Sequence, residues 1–201
     1  MDIVRRIASY AVFQMIGFRP SPVAAPVWDR EYKAGRWDYL GTLDNLGGLA
    51  SVLAYCQFLE PAAILDVGCG AGLLARKLKV LPYRSYLGVD LSAEAIAQAA
   101  PVADARTAFA VADACDFHVD RRFDVIIFCQ VLGYIPDPDA VLARYARNLA
   151  PNGRIIASMF NDGRTRAAWT RIGKTMVVED TMSVTQAGGT TTTKLLRPRA
   201  A

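Results

Sequence analysis

Apolar and polar positions follow two alternating periods along most of the chain, and this alternation predicts a layered α/β structure. Short apolar runs, typical of buried parallel strands, predict strands at residues 62–67, 85–90, 107–112, 123–129 and 153–160. Between them, apolar residues recur at helical spacing, which predicts helices over residues 72–80, 92–100 and 137–149. Strands that alternate with helices in this way form a parallel sheet with helices on both faces.

The pattern changes at both ends of this alternating region. Near the C-terminus, residues 175–186 and 190–196 flank Ala187-Gly188-Gly189, which predicts an antiparallel hairpin after a polar segment at 161–174. Before the first strand, residues 43–59 are predicted to form a helix. We therefore divide the chain into an N-terminal helical cover, 1–60, and a larger domain, 61–201.

Residues 1–18 superficially resemble a signal peptide, since an arginine pair precedes a long apolar stretch. Polar positions 2, 5, 6 and 9 fall on one side of a helix, however, and Ile3, Ile7, Ala11 and Met15 fall on the other. We predict an amphipathic helix that covers the domain; the alternative is weak docking to a membrane surface or a partner. No apolar run reaches the roughly 20 residues of a membrane span.

Composition and charge are those of a globular protein, with 201 residues of which 53% are hydrophobic and 21% charged. The net charge of +4 comes from scattered basic residues without interleaved aromatic residues, which disfavours a nucleic-acid partner. The four cysteines lie far apart, with no C-x-x-C pair and no histidine cluster, so neither a metal site nor a disulfide framework is expected. Free cysteines favour a cytoplasmic location.

A glycine-rich turn directly after the first predicted strand carries the most chemical information. It reads Ile64-Leu65-Asp66-Val67-Gly68-Cys69-Gly70-Ala71-Gly72. Glycine permits a tight turn and the close approach of a ligand, and the following helix offers unpaired N–H groups. A dinucleotide fingerprint, G-x-G-x-x-G, needs glycine where this chain has Leu73, and the Asp66 carboxylate would repel a pyrophosphate. An NAD-dependent oxidoreductase is therefore the weaker alternative.

The same turn resembles motif I, D-x-G-x-G-x-G, of class I S-adenosylmethionine (SAM)-dependent methyltransferases. The resemblance covers roughly residues 28–199. It implies a Rossmann-like, doubly wound sheet of seven strands, mostly parallel and closed by the antiparallel C-terminal hairpin. It also implies SAM as the methyl donor, bound outside the carboxyl ends of the strands.

The resemblance assigns cofactor contacts to residues at the strand ends. Asp90 would accept hydrogen bonds from the ribose hydroxyls, and Asp113 from the adenine amino group, with Leu91 and the Ala114 backbone beside the ring. The alternatives are a helix cap for Asp90, an Asx turn for Asp113 and a core position for Leu91. The complete predicted cofactor set is Asp66, Gly68, Cys69, Gly70, Gly72, Asp90, Leu91, Asp113, Ala114, Gln130, Tyr32 and Trp37.

Residues 123–136 resemble motif IV, whose strand ends against the methyl group being transferred. Gln130 and Tyr134, which follow this strand, are the catalytic candidates; Asp137 and Asn161 lie in neighbouring loops. His118, the only histidine, follows the third strand on the adenine side and is discounted. An Asn/Asp-Pro-Pro-aromatic motif is absent, which argues against an amino-methyltransferase acting on DNA bases.

The aromatic residues between Trp28 and Tyr39 look like the N-terminal cover of small methyltransferases. Tyr32, Arg36, Trp37 and Tyr39 are candidates to contact the sulfonium cation or the carboxylate; the alternative is an aromatic patch that packs a helix on the sheet. The sequence thus predicts methyl transfer to oxygen or nitrogen of a small molecule or saccharide. Besides the oxidoreductase, an inactive SAM-binding partner subunit of another methyltransferase is the alternative.

Overall fold

A computed structural model describes residues 23–199, and its centre is a seven-stranded sheet. The strands are β1 (Ala63–Val67), β2 (Ser85–Asp90), β3 (Thr107–Val111), β4 (Phe123–Cys129), β5 (Leu149–Phe160), β6 (Met176–Gln186) and β7 (Gly189–Pro198). Their order is β3-β2-β1-β4-β5-β7-β6. Strands β1 to β5 pair in parallel, whereas β7 is antiparallel to both β5 and β6. The predicted doubly wound sheet with a terminal antiparallel hairpin is confirmed.

Helices cover both faces of this sheet. Within residues 23–199 the α-helices are α1 (Ala25–Lys33), α2 (Gly47–Leu59), α3 (Leu73–Leu78), α4 (Ala93–Ala99), α5 (Pro138–Tyr145) and α6 (Gly163–Thr175). Successive side chains of β4 point to opposite faces. Val125 and Ile127 join a core with α2 and α3, while Ile126 and Phe128 join a core with α5 and α6. Burial on both faces explains why β4 reads as a continuous apolar run.

Helix α6 forms where the sequence predicted only a polar segment. Its apolar side chains are few, but Ala168, Trp169 and Ile172 fall on one side and pack against the α5–α6 core. A reciprocal cap begins the helix: Asp162 Oδ1 accepts from Thr165 N at 3.0 Å, and Thr165 Oγ1 accepts from Asp162 N at 3.1 Å. This capping pair is the sequence signal that the periodicity analysis missed.

Several predicted boundaries also move. The helix expected at 43–59 begins only at Gly47, and Leu43–Asn45 forms a separate 3-10 turn. The helix expected at 137–149 ends at Tyr145, since β5 already starts at Leu149. Helix and strand ends are set by capping and tertiary contacts that periodicity does not report.

The predicted amphipathic helix at 1–18 lies outside the residues that the structure describes. Among the helices of residues 23–199, none is both long and apolar enough to cross a membrane. The division of the chain at residue 60 stays a prediction. Helix α2, which belongs to the predicted cover, buries Leu49, Val52 and Tyr55 against the sheet.

A buried row of hydroxyl groups ties α2 to the sheet. Ser51 Oγ donates to the Gly47 carbonyl at 2.9 Å and lies 2.6 Å from Thr193 Oγ1 on β7. Thr193 in turn donates to Ser158 Oγ on β5 at 3.0 Å. All three hydroxyl side chains are buried, so each depends on the others for hydrogen bonds that water cannot replace.

Replacing Thr193 with valine keeps the shape of the side chain but removes the central hydroxyl. We expect the free energy of unfolding to fall by about 1–3 kcal/mol, because Ser51 and Ser158 lose a buried partner. Urea denaturation measures this change. Thr185→Val, on the exposed part of the same hairpin where Thr185 pairs with Thr190 at 2.9 Å, is the matched control and should change stability by less than about 0.5 kcal/mol. Equal losses in the two variants would contradict the role of the buried row.

Candidate active site

A large cavity of about 450 Å³ opens at the carboxyl ends of the parallel strands. Its wall combines the turn after β1, the ends of β2 and β3, the residues after β4, and part of the N-terminal cover. The predicted site residues that line it are Asp66, Gly68, Cys69, Gly70, Asp90, Leu91, Asp113, Ala114, Gln130, Tyr134, Tyr32 and Trp37. Gly72 does not line the cavity: it precedes α3 at φ 73°, where a Cβ would lie 3.2 Å from that of Ala99.

The glycine turn brings the backbone to the cavity in a conformation that other residues rarely adopt. Gly68 has φ 74° and Gly70 has φ 54°, both in the left-handed region. A Cβ at Gly70 would lie 2.7 Å from the Tyr32 hydroxyl, and one at Gly68 would lie 2.6 Å from a methyl carbon of Val131. Glycine is therefore required both by the turn and by the close approach of its neighbours.

Asp90 connects this turn to the end of β2. Its Oδ2 accepts from Gly70 N at 2.9 Å and its Oδ1 accepts from Ser92 N at 2.9 Å. The cap of α4 is Ser92, whose hydroxyl accepts from Ala95 N at 3.1 Å. Burial raises the pKa of Asp90, and the bonds from Ser92 and Gly70 oppose that shift. Asp90 is thus a partly buried carboxylate held at the cavity wall.

Asp66 lies beneath the turn and is 1% exposed. Tyr86 donates to its Oδ2 at 2.5 Å, whereas the buried Oδ1 has no hydrogen-bond partner among the described residues. Burial raises the pKa of Asp66 from 3.8 to about 7; the Tyr86 bond opposes this rise, and the charge of Asp90 adds to it. An unpartnered carboxyl oxygen beside a cavity fits a ligand that brings a cationic donor.

At the end of β3, Asp113 forms the Asx turn that was the alternative interpretation. Its Oδ1 accepts from Cys115 N at 2.7 Å. Asp113 still lines the cavity together with Ala112 and Ala114. The side chain therefore shapes the local turn and borders the cavity at the same time.

Gln130 follows β4 at φ 62° and makes three hydrogen bonds to β5. Its backbone N–H donates to Ser158 O at 2.8 Å, its Nε2 donates to Ser158 Oγ at 3.1 Å, and its Oε1 accepts from Phe160 N at 2.9 Å. These bonds fix which way the amide faces. Gln130 thereby joins the buried hydroxyl row, and its amide oxygen is already occupied.

An aromatic cluster closes the cavity on the side of the cover. Trp37 lies at the centre, with ring centroids 5.5 Å from Trp28, 6.3 Å from Tyr32, 6.1 Å from Tyr39 and 6.2 Å from Tyr134. Tyr134 also meets Trp28 edge-on at 5.0 Å. Burial raises the pKa of Tyr32, so its phenol stays protonated. The cluster packs the cover, as the second interpretation predicted, and all of its members except Tyr39 line the cavity; contact with a sulfonium stays a prediction.

Helix α1 is fastened to α4 by contacts that sequence reasoning missed. Asp29 Oδ1 accepts from the Ser92 hydroxyl at 2.6 Å and from Glu94 N at 3.1 Å, and these bonds lower the pKa of Asp29. Gln98 Nε2 donates to the Tyr32 carbonyl at 3.3 Å. The residues joined are more than 60 positions apart, so no local pattern identifies them.

A second cavity of about 80 Å³ adjoins the first beside the start of α6. It shares Trp37, Leu40, Gln130 and Tyr134 with the large cavity. Its remaining lining residues are Tyr39, Gly133, Met159, Phe160, Asp162 and Thr165. The last four were not predicted as site residues: Met159 and Phe160 end β5, and Asp162 and Thr165 belong to the start of α6, which the sequence pattern did not predict.

The other sequence candidates are not part of the wall of either cavity. His118, Arg36, Asp137 and Asn161 line neither cavity; Arg36 pairs with Glu31 at 3.6 Å, and Asp137 pairs with Arg171 at 2.6 Å. Across residues 23–199 no group of three or more His, Cys, Asp or Glu is placed to hold a metal ion. Burial raises the pKa of the Cys69 thiol well above its ordinary value.

Known proteins share both the sequence pattern and the fold. Residues 46–182 match a family model described as a methyltransferase domain. The ubiquinone biosynthesis O-methyltransferase of Pectobacterium atrosepticum is 28% identical over 152 residues, which are 73% of this chain and 60% of that protein. The protein of that name from Bradyrhizobium diazoefficiens is 35% identical over 102 residues, 49% of this chain and 40% of that protein. The chain thus spans 60% or less of these relatives.

Two solved structures illustrate the likeness in fold. N-methyltransferase NodS from Bradyrhizobium japonicum, in complex with S-adenosylhomocysteine (SAH), has a TM-score of 0.71 at 17% identity, covering 88% of this chain and 98% of that chain. The 4+2-cyclase SpnF has a TM-score of 0.63 at 18% identity, covering 76% and 80%. The sheet order and the cavity at the strand ends define a class I methyltransferase fold. By its match to the methyltransferase domain model, the chain belongs to the class I SAM-dependent methyltransferase family.

The raised pKa of Asp66 predicts a pH-dependent stability. Because folding raises this pKa from 3.8 to about 7, the stability that the group contributes is complete below about pH 4 and is lost as the pH rises through 7. Thermal unfolding of the unliganded protein should therefore show wild type losing stability relative to Asp66→Asn across this interval. A difference between the two proteins that does not change with pH would contradict the burial argument.

Proposed function

We propose that this chain is a SAM-dependent methyltransferase that transfers a methyl group to oxygen or nitrogen of a small molecule or saccharide. The observation that carries the proposal is the unpartnered Asp66 oxygen beneath a glycine turn in which a Cβ at Gly68 or Gly70 would clash with a neighbouring side chain. The names of the curated relatives, which are O-methyltransferases, support the reaction class.

The cavity residues fit the parts of SAM in the order of the strands. Asp66, Gly68, Cys69 and Gln130 would hold the amino-acid end, because Asp66 offers a carboxylate oxygen to an ammonium group. The ribose and adenine would be held by Asp90, Leu91, Asp113 and Ala114. Tyr32 and Trp37 would close over the cationic sulfonium, since the face of an aromatic ring attracts a cation.

The chain's own contribution to the reaction is to align the partners. SAM supplies an activated methyl group when it is bound. The cover would close over the cofactor, and the ends of β4 and β5 would orient the acceptor; alignment of this kind can account for ~7–11 kcal/mol of the barrier. Gln130 acts as a fixed amide, because its oxygen is already bonded to Phe160 N. Tyr134, which borders both cavities, would position the acceptor beside the cofactor.

The same site argues against the dinucleotide alternative. A pyrophosphate would lie beside the carboxyl groups of Asp66 and Asp90. Burial raises the pKa of both groups, so negative charge is already unfavourable at this position and a doubly anionic ligand would add to it. Gly72, the last glycine of the turn, does not line the cavity. A ligand with a positive charge near Asp66 fits the site better than one with two negative charges.

Gly70→Val should abolish cofactor binding without unfolding the protein. A side chain at φ 54° is strained and would displace the Tyr32 hydroxyl from the turn, so we expect SAH affinity to fall by at least roughly 100-fold, or ~2.7 kcal/mol. Isothermal calorimetry with SAH measures this. Gly173→Val in α6, where a Cβ meets no atom within 4 Å, is the matched control. Binding of NADH but not of SAH by wild type would overturn the proposed function.

Binding of the amino-acid end should depend on the charge of Asp66. Since its pKa is about 7, the carboxyl must lose a proton to accept from an ammonium group, and SAH affinity should rise with pH below 7 by up to about tenfold per unit. Methylthioadenosine, which lacks the amino-acid group, should show no such rise. Asp66→Asn should remove the pH dependence for SAH, and an unchanged slope would place the ammonium elsewhere.

A further inference from the structure

The smaller cavity has the size of one ring. Its volume is about 80 Å³, and roughly 10–15 Å³ of such volume accommodates one water-sized group, so it admits roughly five to eight non-hydrogen atoms. It joins the large cavity at Trp37, Leu40, Gln130 and Tyr134. A group bound there would therefore lie directly beside a ligand of the larger cavity.

Flat aromatic side chains form much of the wall. Trp37, Tyr39, Tyr134 and Phe160 line the smaller cavity, and Met159 adds a thioether from β5. Trp37 and Tyr134 stand at 88° to each other, which makes a corner of a ring face and a ring edge. Aromatic rings and methionine sulfur both pack favourably on a planar apolar ring.

The amide of Gln130 and the hydroxyl of Thr165, two polar groups of this wall, are already engaged. Gln130 uses its amide on Ser158 and Phe160, and Thr165 Oγ1 both accepts from Asp162 N and donates to the Asp162 carbonyl at 3.0 Å. A saccharide has a hydroxyl on nearly every carbon, and each one left without a partner costs about 1–3 kcal/mol. The wall therefore disfavours a saccharide in this position.

The charges of the residues that line the smaller cavity further restrict the class of ligand that it can bind. The lining residues of the smaller cavity include the Asp162 carboxylate and no basic residue, so an anionic acceptor is disfavoured.

We propose that the smaller cavity binds the methyl acceptor and that the acceptor is a neutral phenol or catechol ring, methylated on oxygen. This inference rests on the proposed function and specifies its substrate class. The phenol oxygen forms the new bond to the methyl carbon as the carbon–sulfur bond breaks; sulfur keeps the electron pair, and the phenolic proton leaves to water. Stacking between aromatic residues would hold the ring for this displacement.

Gly133 provides the test, because it borders the smaller cavity and a Cβ there meets no atom within 4 Å. Gly133→Leu adds a side chain at the edge of the smaller cavity, where it should obstruct a bound ring, and Gly133 does not line the larger cavity. The assay uses methyl-labelled SAM with catechol, with 1,2-cyclohexanediol as the non-planar counterpart, and with glucosamine. We expect label on catechol only, and a loss of at least tenfold in Gly133→Leu, while calorimetry gives an SAH affinity within about twofold of wild type. Gly173→Leu, the same change in an open position of α6, should keep full activity.

The outcomes separate the two proposals. Wild type that binds SAH but labels glucosamine or cyclohexanediol and not catechol, or labels none of them, would overturn the phenol assignment. Equal catechol activity in Gly133→Leu and wild type would overturn the location of the acceptor. Failure of wild type to bind either SAM or SAH would instead overturn the proposed function itself.

Discussion

A closed circuit of contacts around Asp90 holds the candidate site together. One carboxylate oxygen fixes the glycine turn through Gly70 N, and the other fixes Ser92. Ser92 caps α4 and bonds to Asp29 of the cover helix α1, and Tyr32 of that same helix rests against Gly70. Turn, strand end, helix cap and cover therefore depend on one another, since loss of any member frees polar groups that the circuit keeps paired.

The order of the strands explains why the cavity lies where it does. From β1 the chain builds outward through β2 and β3 on one side, and then returns to place β4 and β5 on the other side. The loops that leave β1 and β4 therefore diverge, and a crevice forms between them. The aromatic cluster of the cover closes that crevice from above, while the hydroxyl row from Ser51 to Gln130 fixes its β5 side.

Electrostatics gives the cavity its preference among ligands. Burial raises the pKa values of both Asp66 and Asp90, and the charge of Asp90 adds to the rise at Asp66, so the unliganded protein holds negative charge at a cost. A ligand with a positive centre relieves that cost. The fold alone does not determine the reaction, because a 4+2-cyclase has a similar fold. The reaction depends on the side chains at the site.

The sequence by itself determined the strands of the parallel sheet, the glycine turn and the acidic residues at strand ends, because these follow from apolar periodicity and from the space that a Cβ occupies. Both are properties of a few neighbouring residues. Only the tertiary structure decided the fixed amide of Gln130, the Asp29 contact and the smaller cavity. Each of these joins residues that are close in space but, for the most part, 28 to 65 positions apart in the chain, and a local pattern carries no record of such pairs.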